Sequence, residues 1–179
     1  MKAMKKILAF ALAGVMALVL LTGCGTGSSA SHKSIAKAME DHDRGVENNL
    51  KITYTSSAEW DAKLQQLAAA KTEFEAVVKA VYNNDSTALS EIRSAVSSDP
   101  ALAGKVVYLY CGKYDKDAGK QAINLNAWGH YTCIAPTESS AQHLADERQI
   151  GLITTSFTDD TTHEKVKVRF AVVVSGPKS

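Results

Sequence analysis

Hydrophobic residues recur every three or four positions through the first half of the chain, which is the spacing of one helix face. Such a stretch covers residues 34–48, and the alternating residues 50–55 that follow are typical of a short strand or an extended connection. A second stripe follows the capping-box residues Ser56 and Glu59 and predicts one helix that ends at Asn83. Its hydrophobic members are Trp60, Leu64, Leu67, Phe74, Val78 and Val81.

The second half of the chain has the patterns of strands. A third predicted helix, over residues 86–96, closes the helical half, and the buried-type run 105–111 comes next. Residues 150–158 and 166–174 are strand-like on either side of the polar stretch 159–164, so they predict an antiparallel hairpin.

Two segments between these strands decide the topology. Residues 137–148 are predicted to form a helix before the hairpin. Residues 117–128 fit two patterns, because Ile123 and Leu125 alternate as in a strand, whereas Ala122 and Leu125 also belong to a helical stripe. Periodicity does not decide between a helix and a strand in this second segment.

Helices that come first and strands that come later predict an α+β fold. We expect N-terminal helices followed by a small, mainly antiparallel sheet that ends in a C-terminal β hairpin. The 179 residues are 45% hydrophobic and 22% charged, which excludes wholesale disorder. This length fits a single domain, which we place at residues 34–179.

The first 23 residues have the form of a secretory signal peptide. Lys2, Lys5 and Lys6 precede an uncharged apolar run from Ile7 to Leu21. This run is shorter than the roughly 20 apolar residues that span a bilayer. We therefore expect a leader at residues 1–23 rather than a transmembrane anchor.

The leader ends in Leu21-Thr22-Gly23-Cys24, which resembles the lipobox of bacterial lipoproteins. The resemblance implies that the Cys24 thiol receives a diacylglyceryl group and that cleavage makes Cys24 the new N-terminus, with acyl chains such as palmitate. Two acyl chains hold a protein stably at a membrane. We therefore expect an extracytoplasmic protein anchored to a bacterial membrane by this lipid, with no other cofactor. The Gly/Ser-rich residues 24–33, with a solvated His32, are expected to act as a flexible tether.

The charge balance excludes a broad basic surface. The full chain has a net charge of +1, and loss of the three leader lysines leaves 17 basic and 19 acidic residues, a net charge of −2. Such a chain has no overall attraction for nucleic acid or anionic lipid. Nucleic acid is therefore not an expected partner, and membrane attachment is expected to come from the lipid on Cys24.

Two cysteines remain after Cys24, and an extracytoplasmic location permits a disulfide between them. Cys111 lies in a predicted strand and Cys133 follows the ambiguous segment. A tight hairpin between them would leave their Cα atoms more than the permitted 7 Å or so apart. The sequence is compatible both with a Cys111–Cys133 disulfide and with two buried thiols.

Signals for catalysis are few. His143 and Glu147 would share one helix face and could ligate zinc or act as a base beside an orienting carboxylate, although a solvated pair is the simpler interpretation. No third ligand stands at a recognisable spacing. The sequence has no G-x-S-x-G nucleophile motif and no glycine-rich phosphate loop.

The string Gly129-His130-Tyr131-Thr132 resembles the corresponding segment of the CAP superfamily, the secreted cysteine-rich and pathogenesis-related proteins. Members of that family are α–β–α sandwiches that end in a β hairpin. The resemblance implies a central cavity at His130 and Tyr131, with a lipid-binding or hydrolytic role. It also implies a helix over residues 117–128.

The function that these features favour is a lipid-anchored binding or interaction module of the cell envelope, whose partner is an envelope protein or a cell-wall ligand. A CAP-like domain and a metal-assisted hydrolase that uses His143 and Glu147 are the alternatives. Several aromatic residues lie close together in the sequence around the middle strands. If exposed on one face they would form a surface that binds a partner, although a single aromatic residue is more often part of a core. The aromatic residues concerned are Tyr108, Tyr110, Tyr114, Trp128 and Tyr131.

Overall fold

The structure is a computed structural model that describes residues 30–97, 102, 104–127, 131–135 and 144–177. These residues form five helices and five strands. The helices are α1 (His32–Glu47), α2 (Ala58–Ala69), α3 (Lys71–Tyr82), α4 (Ser86–Ser97) and α5 (Ala118–Leu125). The strands are β1 (Thr53–Ser56), β2 (Val106–Lys113), β3 (Tyr131–Ala135), β4 (Leu144–Thr158) and β5 (Lys165–Pro177).

The five strands form one sheet in the order β1-β4-β5-β2-β3. The predicted α+β class is confirmed, but the sheet is mixed rather than mainly antiparallel. The short strand β1 pairs with β4 in the parallel direction, while the other three pairings are antiparallel. The parallel pairing arises because β1 joins the sheet edge far from β4 in sequence, with no hairpin between the two strands.

The predicted C-terminal hairpin is confirmed, and its first strand is longer than predicted. Ile150 pairs with Val173 and Phe157 with Val166. The helix predicted over residues 137–148 is wrong from Leu144 onward, because β4 begins there and its first residues pair with β5. Residues 137–143 lie outside the described part of the chain.

Helix α1 begins earlier than the sequence predicts. Ser31 caps it by accepting a hydrogen bond from the Ser34 amide at 3.1 Å, and Asn48 ends it in the left-handed conformation with φ 48°. His32 is therefore a helical residue rather than part of a tether. It is also not simply solvated, because its Nδ1 lies 2.8 Å from Asp61 Oδ2 on α2.

The single long helix predicted after Ser56 is two helices. Ala70, with φ −85° and ψ 58°, leaves the helical conformation and separates α2 from α3. The break falls in the seven-residue gap of the stripe between Leu67 and Phe74, and both of these residues are buried. The N-cap is Ser57, one residue later than predicted, and its hydroxyl accepts a hydrogen bond from the Trp60 amide.

The ambiguous segment 117–128 contains helix α5, so the helical alternative is confirmed for residues 118–125. Asp117 caps the helix by accepting a hydrogen bond from the Lys120 amide at 2.9 Å. Ala122 and Leu125, both from the helical stripe, are buried.

Helices cover both faces of the sheet. On one face, residues of α2, α3 and α4 pack against alternate residues of β2 and β5, including Leu109 and Phe170. On the other face, residues of α1 and α5 pack against the intervening positions, such as Tyr110 and Ala171. Glycine is required where a helix lies closest to the sheet, because a Cβ on Gly151 would collide with Trp60.

Acidic side chains protect the part of β4 that extends past β1. Asp61 Oδ1 accepts a hydrogen bond from the Leu152 amide at 2.7 Å, and Glu75 Oε1 accepts one from the Thr158 amide at 2.8 Å. These contacts satisfy edge amides that would otherwise be available to another strand.

Candidate functional site

Several of the residues singled out in the sequence lie outside the described part of the chain. They are Cys24, Trp128, His130 and His143. The backbone of Tyr131 pairs with Tyr110 at the start of β3. Lipidation at Cys24 and a cavity at His130 and Tyr131 therefore remain predictions.

Glu147 lies on a strand, whereas its predicted pairing with His143 requires both residues on one face of a helix. It is an exposed residue of β4, opposite Thr53 of β1. Among the residues that the structure describes, no group of three or more His, Cys, Asp or Glu side chains is arranged to hold a metal ion.

No disulfide joins Cys111 and Cys133. The register explains this, because Cys133 lies opposite Tyr108, three positions along β2 from Cys111. Three strand positions span about 10 Å, which exceeds the Cα separation of about 7 Å that a disulfide tolerates. Cys111 is fully buried, and burial raises the pKa of its thiol far above the ordinary value.

We expect Cys111 to resist alkylation in the native protein, because the thiolate is the reactive form and burial disfavours it. N-ethylmaleimide at pH 8 should leave Cys111 unmodified in buffer and modify it in concentrated urea, as read by peptide mass spectrometry. Equal modification in buffer and in urea would contradict a buried thiol.

The tyrosines of β2 belong largely to the core. Tyr108 and Tyr110 lie side by side on one face of the strand with ring centroids 6.2 Å apart. Tyr110 is buried and Tyr108 is half-buried. The exposed aromatic face that would favour partner binding is therefore absent at these two positions.

A cleft of about 520 Å³ lies where β4 begins and β5 ends, on the face of the sheet that α2 covers. Strands β1, β4 and β5, the first turns of α2 and the residues before β2 form its walls. The lining residues that bear on its chemistry are Thr53, Trp60, Lys105, Glu147, Gln149 and Ser175.

The α2 wall of this cleft is rigidly held. Trp60 is 6% exposed, and its indole Nε1 donates a hydrogen bond to Gln149 Oε1 at 3.2 Å. Lys63 Nζ lies 4.1 Å from the centroid of the Trp60 ring and 2.9 Å from Glu59 Oε1. The polar and charged groups of this wall are therefore already paired with one another in the absence of a ligand.

Two other charges of the cleft have no such partners. Lys105 and Glu147 are both exposed, and neither forms an ion pair with any residue that the structure describes. The cleft thus presents one ammonium and one carboxylate to solvent, together with the hydroxyl group of Thr53, while the buried Ser175 hydroxyl is bonded to the backbone of Ala145 and Gly176.

Behind the start of β4, on the opposite face of the sheet, lies a buried ionic network. Arg148 Nη1 is 2.5 Å from Asp43 Oδ2, and Arg148 Nη2 is 2.6 Å from Glu47 Oε1. The Tyr54 hydroxyl donates to the same Asp43 oxygen at 2.6 Å. Arg148 is only 3% exposed and Asp43 7%, so the pair is removed from water.

This network connects α1 to the strands that form the cleft. Glu40 Oε2 accepts a hydrogen bond from the Tyr54 amide at 3.0 Å. A hydrogen bond from Lys37 holds the pKa of Glu40 below its usual value. Burial raises the pKa of Tyr54, so its phenol keeps the proton that it donates to Asp43. Because neighbouring strand residues point to opposite faces, a buried Arg148 directs Glu147 and Gln149 toward the cleft.

Sequence reasoning did not find the cleft or the network. The acidic residues Glu40, Asp43 and Glu47 are spaced by three and four, which is also the pattern of a solvated helix face. The only local signal is the position of Arg148, two residues before the predicted hydrophobic strand that starts at Ile150.

No protein-family model, curated protein or solved structure matches this chain. None of the helices within the described residues is both long enough and apolar enough to cross a membrane.

Proposed function

We propose that the protein is a lipid-anchored extracytoplasmic binding module whose cleft holds a short peptide or the peptide part of a cell-wall polymer. The observation that carries the proposal is a polar cleft of about 520 Å³ that holds one lysine and one glutamate, neither of which has an ion-pair partner among the residues that the structure describes. That volume is within the range of about 300–1,000 Å³ that is usual for sites that hold small ligands.

The chemistry of the cleft fits a ligand that carries both charges. Lys105 would receive a carboxylate and Glu147 an ammonium group. The exposed hydroxyl of Thr53 can donate to or accept from peptide groups between those ends. Trp60 and Gln149, already bonded to each other, supply a fixed wall against which the ligand lies.

The predicted anchor supplies the location. Two acyl chains on Cys24 would hold the domain at the outer surface of a bacterial membrane, with the membrane lipid as one partner and the envelope ligand as the other. Cys24 precedes Ala30, the first described residue, by six residues. The domain would therefore remain close to the membrane.

Peptide binding is tested by nuclear magnetic resonance on the ¹⁵N-labelled protein. We expect trialanine to shift the indole N–H resonance of Trp60, because this group lies in the cleft wall. Trialanine with an acetylated N-terminus and an amidated C-terminus should bind about tenfold or more weakly, because it lacks both charges.

Matched variants assign the binding to the cleft. Lys105→Gln and Glu147→Gln should each weaken trialanine binding about tenfold. Lys51→Gln and Glu164→Gln remove the same charges from exposed positions outside the cleft and should leave binding unchanged. Equal binding of the free and blocked peptides, or no response of Trp60 to either, would refute the proposal.

A further inference from the structure

A row of basic side chains lies on one face of the β4–β5 hairpin, near its turn. Alternate residues of β5 are cationic, and each pairs in register with a hydroxyl residue of β4. They share the face on which Ala171 packs against the core. We name the following residues the basic face: Lys165, Lys167 and Arg169 of β5 with Thr158, Ser156 and Thr154 of β4.

Two of the three cations of the basic face lie beside the ring of Tyr114. None of the three cations forms an ion pair with a carboxylate among the residues that the structure describes. Lys167 Nζ instead lies 3.9 Å from the centroid of the Tyr114 ring, and Arg169 Cζ lies 5.3 Å from it. Arg169 is 3% exposed, and its Nε has no hydrogen-bond partner within the described structure.

Carboxylates that lie near this region in the fold accept hydrogen bonds from other groups and keep their negative charge. Asp115 accepts a hydrogen bond from the Asp117 amide, and Asp117 accepts one from the Lys120 amide. Asp61 accepts one from the Leu152 amide and contacts His32. The adjoining turn holds Asp159, Asp160 and Glu164, of which Asp160 pairs with Lys79 of α3 on the other side of the sheet. The basic face itself groups three cations and no carboxylate, on a chain that is negative without its leader.

The chain comes into the domain beside this face. The Ala30 amide donates to the Lys116 carbonyl at 2.8 Å, two residues from Tyr114, which contacts both Lys167 and Arg169. Six extended residues reach about 20 Å, so a lipid on Cys24 would keep this end of the domain within that distance of the bilayer surface.

We propose that the exposed lysines of the basic face, Lys165 and Lys167, dock on the phosphate groups of anionic phospholipids and set the orientation of the anchored domain. The nearness of the membrane rests on the proposed lipid anchor, while the charge complementarity rests on the basic face itself. Alternate strand positions place neighbouring cations about 7 Å apart, and the hydroxyls beside them add hydrogen-bond donors for phosphate oxygens.

This orientation would direct the cleft away from the membrane. The basic face lies on the side of the sheet that α1 and α5 cover, whereas the cleft lies on the opposite side, which α2 covers. A domain that rests on its basic face would therefore present Lys105 and Glu147 toward the cell wall or the medium.

The test is lysine footprinting on protein purified from membranes with its native N-terminus. The protein is acetylated on vesicles of phosphatidylcholine alone and on vesicles that contain about one third phosphatidylglycerol. We expect the acetylation rates of Lys165 and Lys167 to fall about fivefold on the anionic vesicles, in line with the contribution of each basic residue near such a surface. Lys51 and Lys71, which are exposed elsewhere, should react equally on both.

A pair of double variants separates docking from simple proximity, with the exposed Lys116 beside Ala30 as the reporter. In the unaltered protein, docking should also slow the acetylation of Lys116 on anionic vesicles. Lys165→Gln with Lys167→Gln should abolish this protection. The matched variant with Lys51→Gln and Lys71→Gln should keep it. Persistence of the protection in the first variant would overturn the proposal.

The mass of the N-terminal peptide from the same sample distinguishes failure of the anchor from failure of docking. Acylated protein whose lysines react equally on both kinds of vesicle would overturn docking and leave the anchor intact. Protein without acyl groups that is still protected by anionic vesicles would support docking and refute the anchor. Equal protection by soluble glycerol phosphate without vesicles would overturn the assignment to a membrane.

Discussion

Replacing Cys24 with alanine is expected to abolish lipid attachment and to prevent normal maturation of the protein. The lipobox resemblance implies that the Cys24 thiol accepts the diacylglyceryl group, so the variant is expected either to leave the membrane fraction or to retain its leader as a precursor. Cells fed an alkyne-tagged fatty acid should incorporate the label into the wild-type protein and not into Cys24→Ala.

Cys133→Ala is the matched control for this experiment. Cys133 lies on β3 inside the domain and forms no disulfide, so its loss should leave both the label and the membrane fraction unchanged. Label on the Cys24→Ala protein, or its absence from the wild type, would contradict lipidation at residue 24.

The second large effect is expected from Arg148→Met, which should lower the free energy of unfolding by about 3–5 kcal/mol. The variant leaves Asp43 buried without its cation, and desolvation makes an unpaired carboxylate expensive. The measurement is urea denaturation followed by circular dichroism.

Two comparisons make this result specific to the buried network. Lys63→Met breaks the Lys63–Glu59 pair, whose glutamate is 69% exposed, and should cost less than about 1 kcal/mol. Adding Asp43→Asn to Arg148→Met should cost less than the sum of the two single changes, because it removes the orphaned charge. If Arg148→Met lowered the free energy of unfolding no more than Lys63→Met does, the buried network would contribute little to stability.

The parts of the fold that the sequence predicts correctly are those with strong local patterns. The hairpin of β4 and β5 has alternating or continuous hydrophobic residues on both sides of a polar turn, and α1 has a clear stripe. The composition of residues 144–148 favours a helix, whereas pairing with β5 and β1 imposes a strand, so the predicted helix is wrong there. The parallel pairing of β1 has no local signal at all.

The candidate site could not be predicted, because it depends on distant parts of the chain. Arg148 and Asp43 are 105 positions apart, and Trp60 and Gln149 are 89 apart. The basic face also depends on distant parts of the chain. The alternation in residues 165–169 predicts a strand with one polar side, but it does not predict which part of the fold lies beside that side. Its position beside Ala30 becomes apparent only in the fold.

The most direct test of the lipid anchor is intact and peptide mass spectrometry of the protein extracted from its native membrane. We expect the polypeptide to begin at Cys24 and to carry the added mass of a diacylglyceryl group on that residue. A chain that still begins with its leader, or one whose residue 24 is an unmodified thiol, would contradict the anchor, and with it the proposed location of the cleft in the cell envelope.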